Sequence, residues 1–208
     1  MSTPLPTHSV GVVLAGGRSA RMGTSKAALE IGGEPLLLRV VGRLRRALPE
    51  VVVVGPPVLE ALVPGVRVVP DLRPGLGPLS GLEAALGAIA SQLAFVVACD
   101  MPFISPELVR HLTRLAEQSP DADVVALRTV RGTEYLHAVY TATCLPPIRE
   151  QLAAGERSAG ALLARLRVRE VDESEAARFD PRGLSAFNAN TPEEWAWALA
   201  LAREEPAL

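Results

Sequence analysis

Residues 14–26 read LAGGRSARMGTSK: three glycines, two arginines and a lysine directly after an apolar run. Lys26 is the only lysine in the chain, and the other basic residues are all arginine. These residue types suit a polyphosphate. Gly16 and Gly17 let the backbone approach a ligand closely, and their N–H groups can form an anion-binding nest. Arg18 and Arg21 present planar forks that grip phosphate oxygens, and Lys26 adds a compact, mobile point charge. The spacing matches neither the G-x-x-x-x-G-K-[ST] loop nor G-x-G-x-x-G. A plain glycine turn with solvated arginines explains the separate residues, but it leaves the single retained lysine unexplained.

Two carboxylates and a second glycine-rich segment extend the constellation. Asp100 follows the apolar run FVVAC and should lie at the floor of a crevice. Magnesium is commonly held by one or two carboxylates together with substrate phosphates, and Asp100 is the candidate ligand. Asp71 opens DLRPGLGPLSG and has two readings, a nucleotide or metal contact and a turn aspartate ahead of RPG. Gly77, Pro78 and Leu79 begin a helix whose free N–H groups suit a base edge or an anion, or are an ordinary loop-to-helix entry. Asn188 and Asn190 in FNANTPEEW can cap the last helix or reach the crevice. By spacing alone, Arg157 in GERSAG is a solvated loop residue. His8, His111 and His137 show no ligand spacing, and Cys99 reads as a small buried hydrophobe.

The elements that must position these groups alternate between strand and helix. Strand-like runs occupy residues 10–15, 51–55, 66–70, 94–100 and 123–127, short, apolar and rich in valine. Residues 35–48 carry apolar side chains at Leu37, Val40, Val41, Leu44 and Leu48, which is helical spacing with arginines on the opposite face. Ser105 caps a helix with Pro106 at its first position. Thr191, Pro192 and Glu194 form a capping box for the final helix. After Arg128 the pattern loosens into a strand in TEYLHAVYT, helical stretches around 148–153 and 158–166, and a strand near 168–171. The segments VRGTE and SEAARFDPRG read as flexible loops. The alternation implies an α/β, Rossmann-like three-layer sandwich with a mainly parallel sheet. Ligands in such sheets bind beyond the carboxyl ends of the strands, and 14–26, Asp71 and Asp100 all fall there. One domain spans 1–208, with a nucleotide-binding part of about 9–128 and a cofactor-side part of about 129–208.

The totals narrow the function. With 208 residues, 49% of them hydrophobic, the chain can bury a sizeable core. A formal net charge of −2 argues against a nucleic-acid or membrane surface. Two cysteines far apart form neither a disulfide framework nor a zinc pattern, which suits a cytoplasmic location. No leader peptide and no membrane-spanning run is visible.

Taken in order, LAGGRSARMGTSK, PD at 70–71, GPLSGL at 77–82, CDMPF at 99–103, GER at 155–157 and NANTPEE at 188–194 resemble the molybdenum cofactor guanylyltransferases, a branch of the Rossmann-like nucleotidyltransferases. The resemblance covers nearly the whole chain. It implies transfer of GMP from GTP to the terminal phosphate of molybdopterin cofactor, with release of pyrophosphate. It also implies Mg2+ as the metal, with Mn2+ as a substitute, and molybdoenzyme chaperones or other cofactor-synthesis proteins as candidate partners. By motif, Leu14, Ala15, Gly16 and Gly17 meet the nucleotide, as do Asp71 and the segment from Gly77. Lys26 meets its phosphates, Asp100 binds metal, and Arg21, Lys26 and Asp100 form the catalytic set. Arg157, Asn188 and Asn190 fall on the molybdopterin side. The family often has an acidic residue at the position of Ser25 and an asparagine at that of Gly55. The alternatives are a cytidylyltransferase of the same fold and a non-catalytic GTP-binding partner in cofactor insertion. A dinucleotide-dependent oxidoreductase is disfavoured, because no acidic residue ends the second strand.

Overall fold

The computed structural model describes residues 9–16 and 26–204. Gly17, Arg18 and Arg21, with His8 and Ser25, lie outside the described residues. A seven-stranded sheet forms the middle layer. Its strands are β1 (Ser9–Leu14), β4 (Glu50–Val54), β5 (Arg67–Val69), β6 (Leu93–Ala98), β7 (Val124–Thr129), β8 (Gly132–Thr141) and β9 (Val168–Val171), in the spatial order β5-β4-β1-β6-β8-β7-β9. A separate ribbon pairs β2 (Glu30–Ile31) with β3 (Glu34–Pro35). Strand β8 alone runs against the others, pairing antiparallel with both β6 and β7. The expected mainly parallel sheet is therefore present. The apolar runs that read as strands are buried on both faces, as parallel sheets covered by helices require.

Two hydrophobic clusters sit on opposite faces. One joins the sheet to α1 (Leu36–Arg45), α3 (Pro106–Glu117), α6 (Glu173–Ala176) and α7 (Pro192–Glu204). The other joins it to α2 (Pro78–Ala88), α4 (Leu145–Ala153) and α5 (Ala159–Leu163). The helix starts follow the capping residues. The Leu108 amide donates to Ser105 Oγ at 3.2 Å, and the Glu194 amide donates to Thr191 Oγ1 at 3.1 Å.

Three expectations require correction. Not all arginines of α1 face solvent: Arg39 and Arg43 are buried. Arg39 Nε donates to Pro102 O at 3.2 Å and Arg43 Nε to Ile104 O at 2.5 Å, so both hold the chain that follows Asp100. Burial lowers the Arg43 guanidinium to about 10. Residues 174–183 are not a free loop either. Phe179 stacks on His111 at 4.1 Å, Ser105 Oγ donates to Phe179 O at 2.7 Å, and the Asp180 carboxylate accepts from the amides of Leu184 and Ser185. Most of VRGTE, likewise, belongs to the β7–β8 hairpin. Among the described residues, no helix is long and apolar enough to cross a membrane.

Candidate active site

At the carboxyl ends of the parallel strands, β1 lies between β4 and β6. The Ala15 amide donates to Val54 O at 2.8 Å, and the Cys99 amide donates to Leu14 O at 3.0 Å. These bonds carry the sheet one step past its last ladder pairs and deliver Ala15, Gly16 and Asp100 to the same edge. Helix α2 packs tightly against this edge. A Cβ at Gly81 would lie 3.3 Å from Leu14 Cδ2, so glycine permits the approach.

Asp71 takes the turn role the sequence offered it. Its Oδ1 accepts from the Arg73 amide at 2.9 Å and from the Ser80 hydroxyl, which organises the turn after β5. Its Oδ2 faces Gly16, 3.9 Å from where a Cβ would stand. Gly77 adopts φ 90°, a left-handed conformation natural to glycine, as it leads into α2. Gly77 and Pro78 are exposed, whereas the Leu79 side chain is buried in the core under α2, leaving only its backbone for a ligand. Gly55 is a close-approach glycine. A Cβ there would fall 2.6 Å from Leu59 Cδ1 and 3.4 Å from the Ala15 carbonyl, so Leu59 occupies the ground that an asparagine side chain would need.

Three residues distant in sequence converge on one nitrogen. Lys26 Nζ lies 3.0 Å from Asp100 Oδ2 and 3.0 Å from Asn190 Oδ1. The Asp100–Lys26 pair is about one-fifth exposed on each side. Asp100 Oδ1 is buried and, among the described residues, has no hydrogen-bond partner. The Asp100 backbone is held as well, because its carbonyl accepts from the Ala189 amide at 2.9 Å. The loop bearing Asn190 is anchored by Glu194, whose Oε2 accepts from the amides of Asn190 at 2.7 Å and Thr191 at 2.9 Å. Those amide donations, Thr191 first, hold the Glu194 carboxyl below its ordinary range.

A buried polar hub supports this loop. Ser185 Oγ accepts from the Ser105 amide at 2.9 Å and lies 2.6 Å from His137 Nε2. The hydroxyl and the ring nitrogen share one hydrogen bond, whose direction follows the His137 tautomer. Burial lowers His137 to about 4.

The other sequence candidates lie farther out. Asn188 turns its Nδ2 to Ala186 O at 3.2 Å. Arg157 is exposed beyond Gly155, between α4 and α5, and is not brought to Lys26 or Asp100. Burial raises the Cys99 thiol to about 12, which rules it out as a nucleophile near neutral pH. Tyr135 was not anticipated. It lies on β8 just past the His137–Val97 ladder pair, half-buried, and burial with the charges of Glu134 and Asp100 pushes its phenol up. The register of β8 against β7 shifts between Thr133 and Ala138, so no simple alternation in TEYLHAVYT marked it. Ser80 and Glu194 were likewise visible only as helix residues.

No group of three His, Cys, Asp or Glu residues able to hold a metal occurs among the described residues. The unpartnered Asp100 Oδ1 fits a divalent cation whose remaining ligands come from substrate phosphates and water.

Fold and site together define a nucleotide-binding α/β protein with a lysine–carboxylate pair at the sheet's carboxyl edge. The chain belongs to the family described as the MobA-like NTP transferase domain, which it matches over residues 11–171. It is 42% identical over 195 residues to a probable molybdenum cofactor guanylyltransferase of Pelotomaculum thermopropionicum, covering 94% of each chain. Its structure is similar to that of molybdopterin-guanine dinucleotide biosynthesis protein A from Archaeoglobus fulgidus, with TM-score 0.82 and 26% identity over 94% of this chain and 99% of that one. A Mycobacterium tuberculosis protein solved as a complex with manganese shares the fold, with TM-score 0.65 and 20% identity over 93% of this chain and 98% of that one.

Proposed function

We propose that this site transfers GMP from GTP to the terminal phosphate of molybdopterin cofactor and releases pyrophosphate. The observation that carries the reading is the meeting of Lys26, Asp100 and Asn190 on one nitrogen, beside the open edge formed by Gly16 and Asp71. The names of the relatives support the guanine nucleotide and the acceptor. An oxygen of the acceptor phosphate attacks the α-phosphorus. The bond from that phosphorus to the bridging oxygen breaks, and the electron pair leaves with pyrophosphate. The attacking oxygen is already anionic, so no strong general base is needed. Neutralising charge and aligning two anions carry the catalysis.

Lys26 faces the phosphates and offsets charge that builds on the leaving group. Leu14, Ala15 and Gly16 offer backbone to the nucleotide, with Asp71 opposite them. Gly17 and Arg21 take their part from the motif alone. Asp100 would hold the divalent metal, with Mg2+ as the physiological ion and Mn2+ as a substitute. That ion would supply further charge neutralisation on the phosphates. Arg157 and Asn188 belong to the acceptor side. Incubating the protein with each nucleoside triphosphate, magnesium and molybdopterin cofactor tests the reading through pyrophosphate release. GTP should support release only when the acceptor is present. Release with CTP in preference to GTP would replace the reading with cytidylyl transfer, and release with neither would overturn it.

A further inference from the structure

We infer that Asn190 is a positioning residue for the nucleotide half of the site, acting through Lys26; the inference rests on the reading just given. The family resemblance puts Asn190 with the acceptor, but its oxygen lies 3.0 Å from the nitrogen that also meets Asp100 Oδ2. An ammonium has three donors and no acceptor. Among the described residues two are taken, by Asp100 and Asn190, which leaves the third for a phosphate oxygen. Only the amide oxygen can accept from an ammonium, so the orientation of the Asn190 side chain follows from chemistry. The tether is rigid at its base. Glu194 holds the Asn190 amide at 2.7 Å at the start of α7, and the neighbouring Ala189 amide is bound to Asp100 O at 2.9 Å. Without it, among the described residues, the four-carbon stem of Lys26 would be held at its tip by Asp100 alone.

Charge explains why an amide stands here. Asp100 already balances Lys26, and a neutral acceptor at 190 restrains the ammonium without adding negative charge where phosphates must bind. A carboxylate at 190 would keep the tether and repel the ligand. The Asn188 side chain makes a local contact instead, its amide nitrogen donating to Ala186 O at 3.2 Å.

Because Lys26 is the only lysine, a protein labelled with 13C-lysine gives a single set of side-chain NMR signals. The free wild-type protein should show two distinct ε-proton shifts, the mark of a held side chain. They should merge in Asn190→Ala and stay separate in Asn190→Asp. Equilibrium dialysis with GTP and magnesium, with no acceptor present, should show about tenfold weaker binding for Asn190→Ala, the order expected for one hydrogen bond to a charged group. Asn190→Asp should weaken binding as well. Asn190 is exposed and its backbone contacts survive both changes, so the melting temperature should stay near that of wild type. If Asn190→Ala leaves both the lysine signals and the GTP affinity unchanged, and only the KM for acceptor rises, the inference is overturned. If the wild-type protein fails to bind GTP, the reading beneath it falls, while the NMR comparison, which needs no nucleotide, still confirms or refutes the tether.

Discussion

Gly16→Ala separates an effect on the ligand from an effect on the protein. Among the described residues a Cβ at this position meets one heavy atom within 4 Å, Asp71 Oδ2 at 3.9 Å, which is ordinary van der Waals contact. Gly16 does not occupy the left-handed region, so alanine meets no backbone strain. Replacing glycine at a compatible position lowers the entropy of the unfolded chain and stabilises by ~0.4–1 kcal/mol. The variant should therefore melt at or slightly above the wild-type temperature. The new methyl projects toward Asp71, into the crevice where the proposed function puts the purine, and a smaller pyrimidine would leave it more room. A methyl-sized change in a pocket is worth about 1–3 kcal/mol of discrimination, so GTP use relative to CTP should fall roughly 5- to 150-fold. Competition assays with GTP and CTP at equal concentration read the ratio of kcat/KM, and thermal unfolding reads the fold. An unchanged ratio in a stably folded variant would refute this account of base choice. A large fall in melting temperature would refute the claim that the site has room for a methyl.

The remaining predictions concern charge. Asp100→Ala and Asp100→Asn should each lower turnover at least a hundredfold while costing no more than about 1 kcal/mol of stability, since the lost ion pair is partly solvated; denaturant melts and initial rates across magnesium concentrations check both halves. Lys26→Ala should cripple transfer and Lys26→Arg should restore only part of it, because a planar fork does not replace a compact ammonium. An amine-acylating reagent should inactivate the wild type, and GTP with magnesium should slow that inactivation. The folded protein holds His137 neutral with its value lowered to about 4, against about 6.5 unfolded. This contribution is complete above pH 6.5 and is lost as the pH falls toward 4, so stability should drop by about 2 kcal/mol between pH 7 and pH 5. Urea midpoints at the two pH values should show that drop, and it should shrink in His137→Asn.

Much of the architecture was legible because local rules agree with the global fold. The valine-rich runs of β1, β4 and β6 lie in a sheet covered on both faces, so their composition alone marks them. Ser105, Thr191 and Glu194 announced their helices through side-chain chemistry that needs no tertiary partner. Lys26 and Asp100 were legible for a different reason, each being a polar residue placed just past an apolar strand or glycine turn. What escaped is non-local. The alternation in β8 shows a strand but not its direction or its place between β6 and β7. Helical spacing sends Arg39 and Arg43 to solvent, whereas in the fold the carbonyls of Pro102 and Ile104, more than sixty residues on, accept from them in the interior. Residues 174–183 are polar and contain Pro and Gly, yet His111 and Ser105 on another element hold them in place. The Lys26–Asn190 contact joins residues 164 positions apart, beyond any pattern in the chain.

The central claim is that GTP is cleaved between its α- and β-phosphates and the GMP portion passes to a phosphate acceptor. The most direct measurement follows two labels through one reaction with magnesium and molybdopterin cofactor. With GTP labelled at the α-phosphate, the label should enter a dinucleotide product. With GTP labelled at the γ-phosphate, it should appear in pyrophosphate in equal amount. Both should vanish in Asp100→Ala. Label released as inorganic phosphate, α-label absent from the acceptor product, or full transfer by Asp100→Ala would contradict the account.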